Sequence, residues 1–80
     1  MLTIDDKRRR ESIPAQVGTE ILKLRKQLDM SQETLAKRAG ITRSYLSRVE
    51  NGKVDLSISV LHAIATVLGR TISELLEDMG

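Results

Sequence analysis

The clearest signal in this chain is a helical spacing of apolar residues that is interrupted at regular intervals. Val17, Ile21, Leu24 and Leu28 fall at i, i+4, i+7 and i+11, one face of a helix expected over about 14–28. Pro14 suits the first turn of that helix, where its missing N–H has no partner to lose. Ser31 then stands as an N-cap before Leu35, Ala36 and Ala39, which line a short second helix over about 32–39, and Gly40 closes it. Thr42 caps a third helix, about 43–50, whose inward residues are Leu46 and Val49. Asn51-Gly52 marks a turn. Ser57 caps a fourth helix, about 58–68, ended by Gly69. Its Ile58, Val60, Leu61, Ile64, Ala65, Val67 and Leu68 cover half the circumference, as expected of a central core helix with one flank left for a partner chain. Ser73 opens a last short helix with Leu75, Leu76 and Met79. Five short helices are read and no strand, so the expected fold is an all-α, compact five-helix bundle. Residues 1–13, polar and without period, read as a flexible arm ahead of a single domain over 14–80.

Composition narrows the picture. In 80 residues there is no Cys, Phe or Trp, and Tyr45 is the only aromatic. Neither disulfides nor thiolate metal sites are available, and the core must be aliphatic. No apolar run approaches the ~18 residues of a membrane span, and the first fifteen residues lack the apolar stretch of a signal peptide. The chain is therefore expected to be soluble and cytoplasmic. One isolated His62, on the polar side of the fourth helix, and scattered carboxylates provide no nucleophile, acid–base pair or metal cluster. An enzyme is not expected, and neither is a cofactor, a metal or a small-molecule ligand.

The net charge is only +2, but it is unevenly placed. Residues 15–53 carry Lys23, Arg25, Lys26, Lys37, Arg38, Arg43, Arg48 and Lys53 against Glu20, Asp29, Glu33 and Glu50. Residues 54–80 carry Arg70 alone against Asp55, Glu74, Glu77 and Asp78. A basic middle is the footprint of a polyanion binder. Lys7 to Arg10 add a basic run that would serve either as a DNA-reaching arm or as a solvated tail.

The stretch MSQETLAKRAGITRSYLSRVENGK, from Met30 to Lys53, concentrates these features. Two helices crossing at a tight turn need a small residue where the backbones approach, met by Ala36. They need a left-handed residue to open the turn, met by Gly40. Ile41 plugs the turn, and Leu46 and Val49 fix the second helix on the first. At 100° per residue, Arg43, Ser47, Ser44 and Arg48 spread over roughly 140° of the opposite face. Long donors flanking short hydroxyls suit a helix lying in the major groove. Arginine bonds bidentately to guanine O6 and N7, and serine donates or accepts.

This stretch, within the run from Gln16 to Leu75, resembles the Cro/phage-repressor (Xre-like) helix-turn-helix family of DNA-binding transcriptional regulators. The resemblance implies a five-helix domain that binds double-stranded DNA as a homodimer on a short palindromic operator. It implies base reading by Arg43, Ser44 and Arg48, with Ser47 also in range. It implies phosphate contacts from Gln32, Thr42, Tyr45, Asn51 and Lys53, although Tyr45 also reads as a core-edge aromatic and Asn51 as a turn residue. Arg25 and Glu50 match an ion pair between the first helix and the end of the third. The dimer surface is expected near the last two helices, at Val60, Val67, Leu76 and Met79. A repressor or restriction–modification controller fits a chain in which no sensory domain is expected after Gly80, and RNA polymerase would then be the protein it blocks or recruits. An antitoxin-like protein, binding its operator with the same helix and neutralising a toxin partner, is the alternative.

Overall fold

The computed structural model describes residues 4–77, with side chains from Ile13 onward. Five helices follow one another: α1 (Ile4–Gln27), α2 (Gln32–Ala39), α3 (Arg43–Glu50), α4 (Ile58–Val67) and α5 (Ile72–Glu77), with no strand among the described residues.

The cap residues set these boundaries. Ser31 Oγ accepts from Thr34 N at 3.0 Å, Thr42 Oγ1 from Tyr45 N at 3.0 Å and Ser57 Oγ from Val60 N at 3.1 Å. Each bond satisfies one of the N–H groups that a helix start leaves without a partner. The first four helices all end the same way. A left-handed residue (Asp29, Gly40, Gly52 or Gly69) lets its own N–H and that of the next residue turn back onto the last turn's carbonyls. In three of the four, glycine takes that conformation at little cost. Asp29, at φ 56°, is the exception.

Two elements differ from expectation. α1 does not start at Pro14 but at Ile4, so Pro14 lies inside the helix and most of the expected arm is helical. The acidic pair Asp5-Asp6, placed where a helix N-terminus favours negative charge, and the Lys, Arg and Glu residues after it are good helix formers. That local preference prevails over the proline, which removes one N–H from the ladder and crowds the carbonyl four residues before it. α5 starts one residue earlier than Ser73, because Thr71 is its cap. Thr71 Oγ1 accepts from Glu74 N at 3.0 Å and Glu74 Oε1 accepts from Thr71 N at 2.9 Å, a reciprocal capping box. These bonds from the Thr71 backbone and side chain, with Arg70 nearby, hold the Glu74 carboxyl below its usual range.

The core is aliphatic. Ile21, Leu24, Leu35, Leu46, Val49, Leu61, Ile64, Leu68 and Leu75 are buried, and Val17, Ile41, Tyr45, Val60 and Val67 pack around them half-buried. Each buried Leu, Ile or Val contributes about 1.5–3 kcal/mol, offset by the entropy of ordering the chain. Two residues of the expected apolar stripes stay outside. Leu28 is 51% exposed because α1 has already ended and its chain is turning through Asp29. Ile58 is 72% exposed because it occupies the first position of α4, a turn before Leu61, where the helix begins to be covered.

α1 and α3 pack more closely than the pattern of apolar residues reveals. A Cβ added at Gly18 would collide with the Val49 carbonyl oxygen and come within 2.9 Å of the Glu50 carbonyl oxygen. A Cβ at Gly52 would lie 2.8 Å from the Ala15 Cα. The end of α3 is thus seated directly on the α1 backbone. Glu20 is buried on α1 as well, and its Oε1 has no hydrogen-bond partner.

Candidate nucleic-acid interface

α2 and α3 form the helix-turn-helix. Ala36, 2% exposed, lies buried in the core on α2, where a larger side chain has no room. Gly40, at φ 75°, opens the turn, with Ile41 half-buried behind it. Leu46 and Val49 point into the core and fix the rotation of α3. That rotation leaves Arg43, Ser44 and Arg48 exposed and Ser47 half-buried on the other side. Together with Gln32 from the start of α2, these four side chains line one open depression. It presents two guanidiniums, two hydroxyls and one amide, with no acidic side chain in its lining.

Residues expected near the phosphates flank this depression. Thr42 is exposed, but its hydroxyl oxygen serves as the α3 cap. Tyr45 is half-buried with its ring against the core. Asn51 closes α3, its Nδ2 donating to the Ser47 carbonyl at 2.7 Å, so its amide nitrogen already has an intramolecular partner. Lys53 is exposed, and its backbone N–H donates to the Arg48 carbonyl at 2.9 Å.

A buried polar cluster holds the far end of α3. Arg25 Nε donates to Glu50 Oε2 at 2.7 Å and Nη2 to Oε1 at 3.0 Å, a bidentate pair. Arg25 Nη1 donates to the Met30 carbonyl at 2.8 Å. Gln32 Nε2 donates to Glu50 Oε1 at 2.9 Å. One guanidinium therefore binds α3 to the α1–α2 turn, and one amide binds the start of α2 to the end of α3. Such charge-assisted, two-pronged bonds are the stronger kind and fix direction as well as distance.

Sequence reasoning does not reach the Gln32–Glu50 bond or the Arg25–Met30 bond, which depend on how the helices pack. Gly18 did carry a signal: a glycine inside a helix costs about 1 kcal/mol relative to alanine, and its position between Val17 and Ile21 on the packed side marks a close approach. Of the residues expected at a dimer surface, Val60 and Val67 pack half-buried against the core and Leu76 is 42% exposed. Met79 lies outside the described residues. No cluster of three His, Cys, Asp or Glu side chains suited to a metal occurs among the described residues, and no described helix is long and apolar enough to cross a membrane.

Comparison with known proteins points the same way. A helix-turn-helix family model matches residues 21–75. Control protein C.MunI of a Mycoplasma species is 41% identical over 68 residues, which cover 84% of this chain and 92% of that protein. The immunity repressor of Bacillus phage phi105 is 37% identical over 62 residues, and this chain spans 43% of its length. Among solved structures, the restriction-modification controller protein C.AhdI from Aeromonas hydrophila superposes with a TM-score of 0.75 at 35% identity, over 78% of this chain and 94% of that one. With the motif, the five-helix architecture and these relatives in agreement, the chain belongs to the helix-turn-helix family of DNA-binding transcriptional regulators and is not an enzyme.

Proposed function

We propose that this protein acts in the cytoplasm as a homodimeric repressor or controller on a short palindromic operator. The observation that carries the reading is the depression lined by Arg43, Ser44, Ser47, Arg48 and Gln32, rigidly backed by Leu46, Val49 and the Arg25–Glu50 pair. In this reading α3 enters the major groove. Arg43 and Arg48 take guanine edges, and Ser44 and Ser47 contact neighbouring bases. Thr42, Tyr45, Asn51 and Lys53 border the phosphates beside it, and the N-terminus of α2 meets one phosphate end-on.

A second copy is favoured by the apolar residues left uncovered near α5. Leu76 borders a groove shared with Ile13, Pro14, Val17, Leu56 and Leu61, and Ile13 is itself 50% exposed. A two-fold dimer built near Val60, Val67, Leu76 and Met79 would set two copies of α3 about one DNA turn apart, ~34 Å. The controller reading is favoured over an antitoxin by the names of two similar proteins, C.MunI and C.AhdI. Selection of bound sequences from random duplex tests the whole reading. A two-fold symmetric site with half-sites one turn apart is expected, together with twice the monomer mass by light scattering at micromolar concentration. A chain that stays monomeric and enriches an asymmetric half-site would overturn the dimeric part.

A further inference from the structure

Gln32 stands at the first position of α2, beside the depression, where an amide side chain would be expected to meet a phosphate. Its hydrogen bond gives that side chain a different task. Nε2 donates to Glu50 Oε1 at 2.9 Å, the same oxygen that accepts Arg25 Nη2 at 3.0 Å. A carboxylate only accepts, so the nitrogen of the Gln32 amide must face it and the amide oxygen must face away. An oxygen turned outward is an acceptor and repels phosphate oxygen, and of the two NH2 hydrogens one is already committed to Glu50. The backbone of α2 meanwhile keeps donors to spare. Ser31 Oγ occupies the Thr34 N–H and the Ser31 carbonyl occupies the Leu35 N–H. The N–H groups of Gln32 and Glu33 have no partner within the helix.

We infer that Gln32 is a positioning residue for base reading, with its side chain tying α2 to the end of α3 through Glu50 while the phosphate is taken by backbone N–H groups. The inference rests on the DNA-binding reading above and refines it. α2 is the element that would stand on the DNA backbone, and α3 is the element that would read it. The Gln32–Glu50 bond fixes the angle between the two at the end remote from the Gly40 turn, and Arg25 holds the same carboxylate from the side of α1. Without it, α3 would still be packed through Leu46 and Val49 but could tilt in the groove.

The test uses the whole protein, its selected duplex, and a duplex of random sequence, with Gln32→Ala and the length-preserving Gln32→Met as variants. Loss of one hydrogen bond to a charged group predicts about tenfold weaker binding to the selected duplex. Binding to the random duplex falls by less, so that the ratio of the two affinities drops, while the pattern of phosphates whose ethylation interferes with binding is kept. In the unaltered protein the Gln32 side-chain NH2 resonances should keep their positions when the selected duplex is added. Loss of one interfering phosphate per half-site in both variants overturns the inference, because the side chain would then be the phosphate ligand. A lowered Tm with unchanged discrimination overturns it too, since the bond would then serve stability alone. If the unaltered protein shows no preference for any duplex, both the DNA-binding reading and this inference fall. If it discriminates but the variants lose a phosphate, only the inference falls.

Discussion

Replacing Glu50 by alanine removes the acceptor of three donors at once: Arg25 Nε, Arg25 Nη2 and Gln32 Nε2. The Arg25 and Glu50 side chains keep only 11% and 4% of their accessible surface, so the guanidinium cannot simply turn to water. Removing one partner from a pair this buried costs about 3–5 kcal/mol, mainly through the charge left behind. The Met30 carbonyl still accepts from Nη1, which places the expected loss near the lower end, about 3 kcal/mol. A domain of this length has a total stability of only about 4–12 kcal/mol, so the loss is a large share of it. With a urea dependence of about 1 kcal/mol per molar for a small protein, the unfolding midpoint should fall by about 3 M. The double variant Arg25→Met, Glu50→Leu removes both charges and leaves no buried charge unpaired, only the half-buried Gln32 amide and the Met30 carbonyl without these partners. Its stability should lie within about 1 kcal/mol of the starting protein or above it. It should nevertheless bind its selected duplex with less discrimination, because the end of α3 is no longer held by directed bonds. Urea melts of the three proteins, followed by titration of specific and random duplex at a temperature where all are folded, separate the two effects. The reasoning is refuted if Glu50→Ala loses under 1 kcal/mol. It is also refuted if the double variant is as unstable as the single one.

Other consequences of the packing are open to simple measurements. Gly18→Ala drives a methyl group into the carbonyls at the end of α3, and since backbone cannot give way as a side chain can, a loss of about 3 kcal/mol is expected in the same urea melts despite alanine's better helix propensity. Asp29→Gly relieves the one non-glycine residue held at positive φ among the described residues and should raise stability by about 0.5–1 kcal/mol, a gain smaller than the full left-handed penalty because glycine also enlarges the unfolded ensemble. The α5 capping box should respond to acid. The Glu74 carboxyl is held below its unfolded value, so its support of α5 is complete above the unfolded carboxylate range and fades as pH falls through the lower folded value. The protection of α5 amides, measured against their intrinsic exchange rates at each pH, should fall across that acidic window in the starting protein, and Thr71→Ala should show lowered protection already at neutral pH.

What could be read from the sequence follows the range of the interactions involved. The limits of α2 and α3 are local events: Ser31 and Thr42 each bond an N–H three residues on, and Gly40 turns the chain by itself. Such signals lie within four or five residues of one another, and so the boundaries were legible. The outward set Arg43, Ser44, Ser47 and Arg48 was legible for the same reason, since a helix of fixed pitch leaves only one face for them once Leu46 and Val49 go inward. The threonine-to-glutamate spacing at Thr71–Glu74 is equally local, but the periodicity of Leu75 and Leu76 drew the boundary to Ser73 instead. The start of α1 was obscured by Pro14, which fits a first turn better than an interior yet does not forbid one. The Gln32–Glu50 bond spans eighteen residues and the collision at Gly18 spans about thirty. Both depend on the angle at which helices cross: a glycine inside a helix marks a close approach at Gly18, but a helix's own sequence does not state which residues it will meet there.

The central claim is that α3 reads bases while its surroundings hold phosphates. Binding of Arg43→Ala and Lys53→Ala to the selected duplex and to a panel of single-base variants tests it most directly. The account predicts that Arg43→Ala loses about 1–3 kcal/mol on the selected site and ceases to discriminate at one base position per half-site. Lys53→Ala should weaken every duplex alike and lower the salt slope by about one unit. Equal weakening of every duplex by both substitutions, with discrimination intact at all positions, would contradict the account.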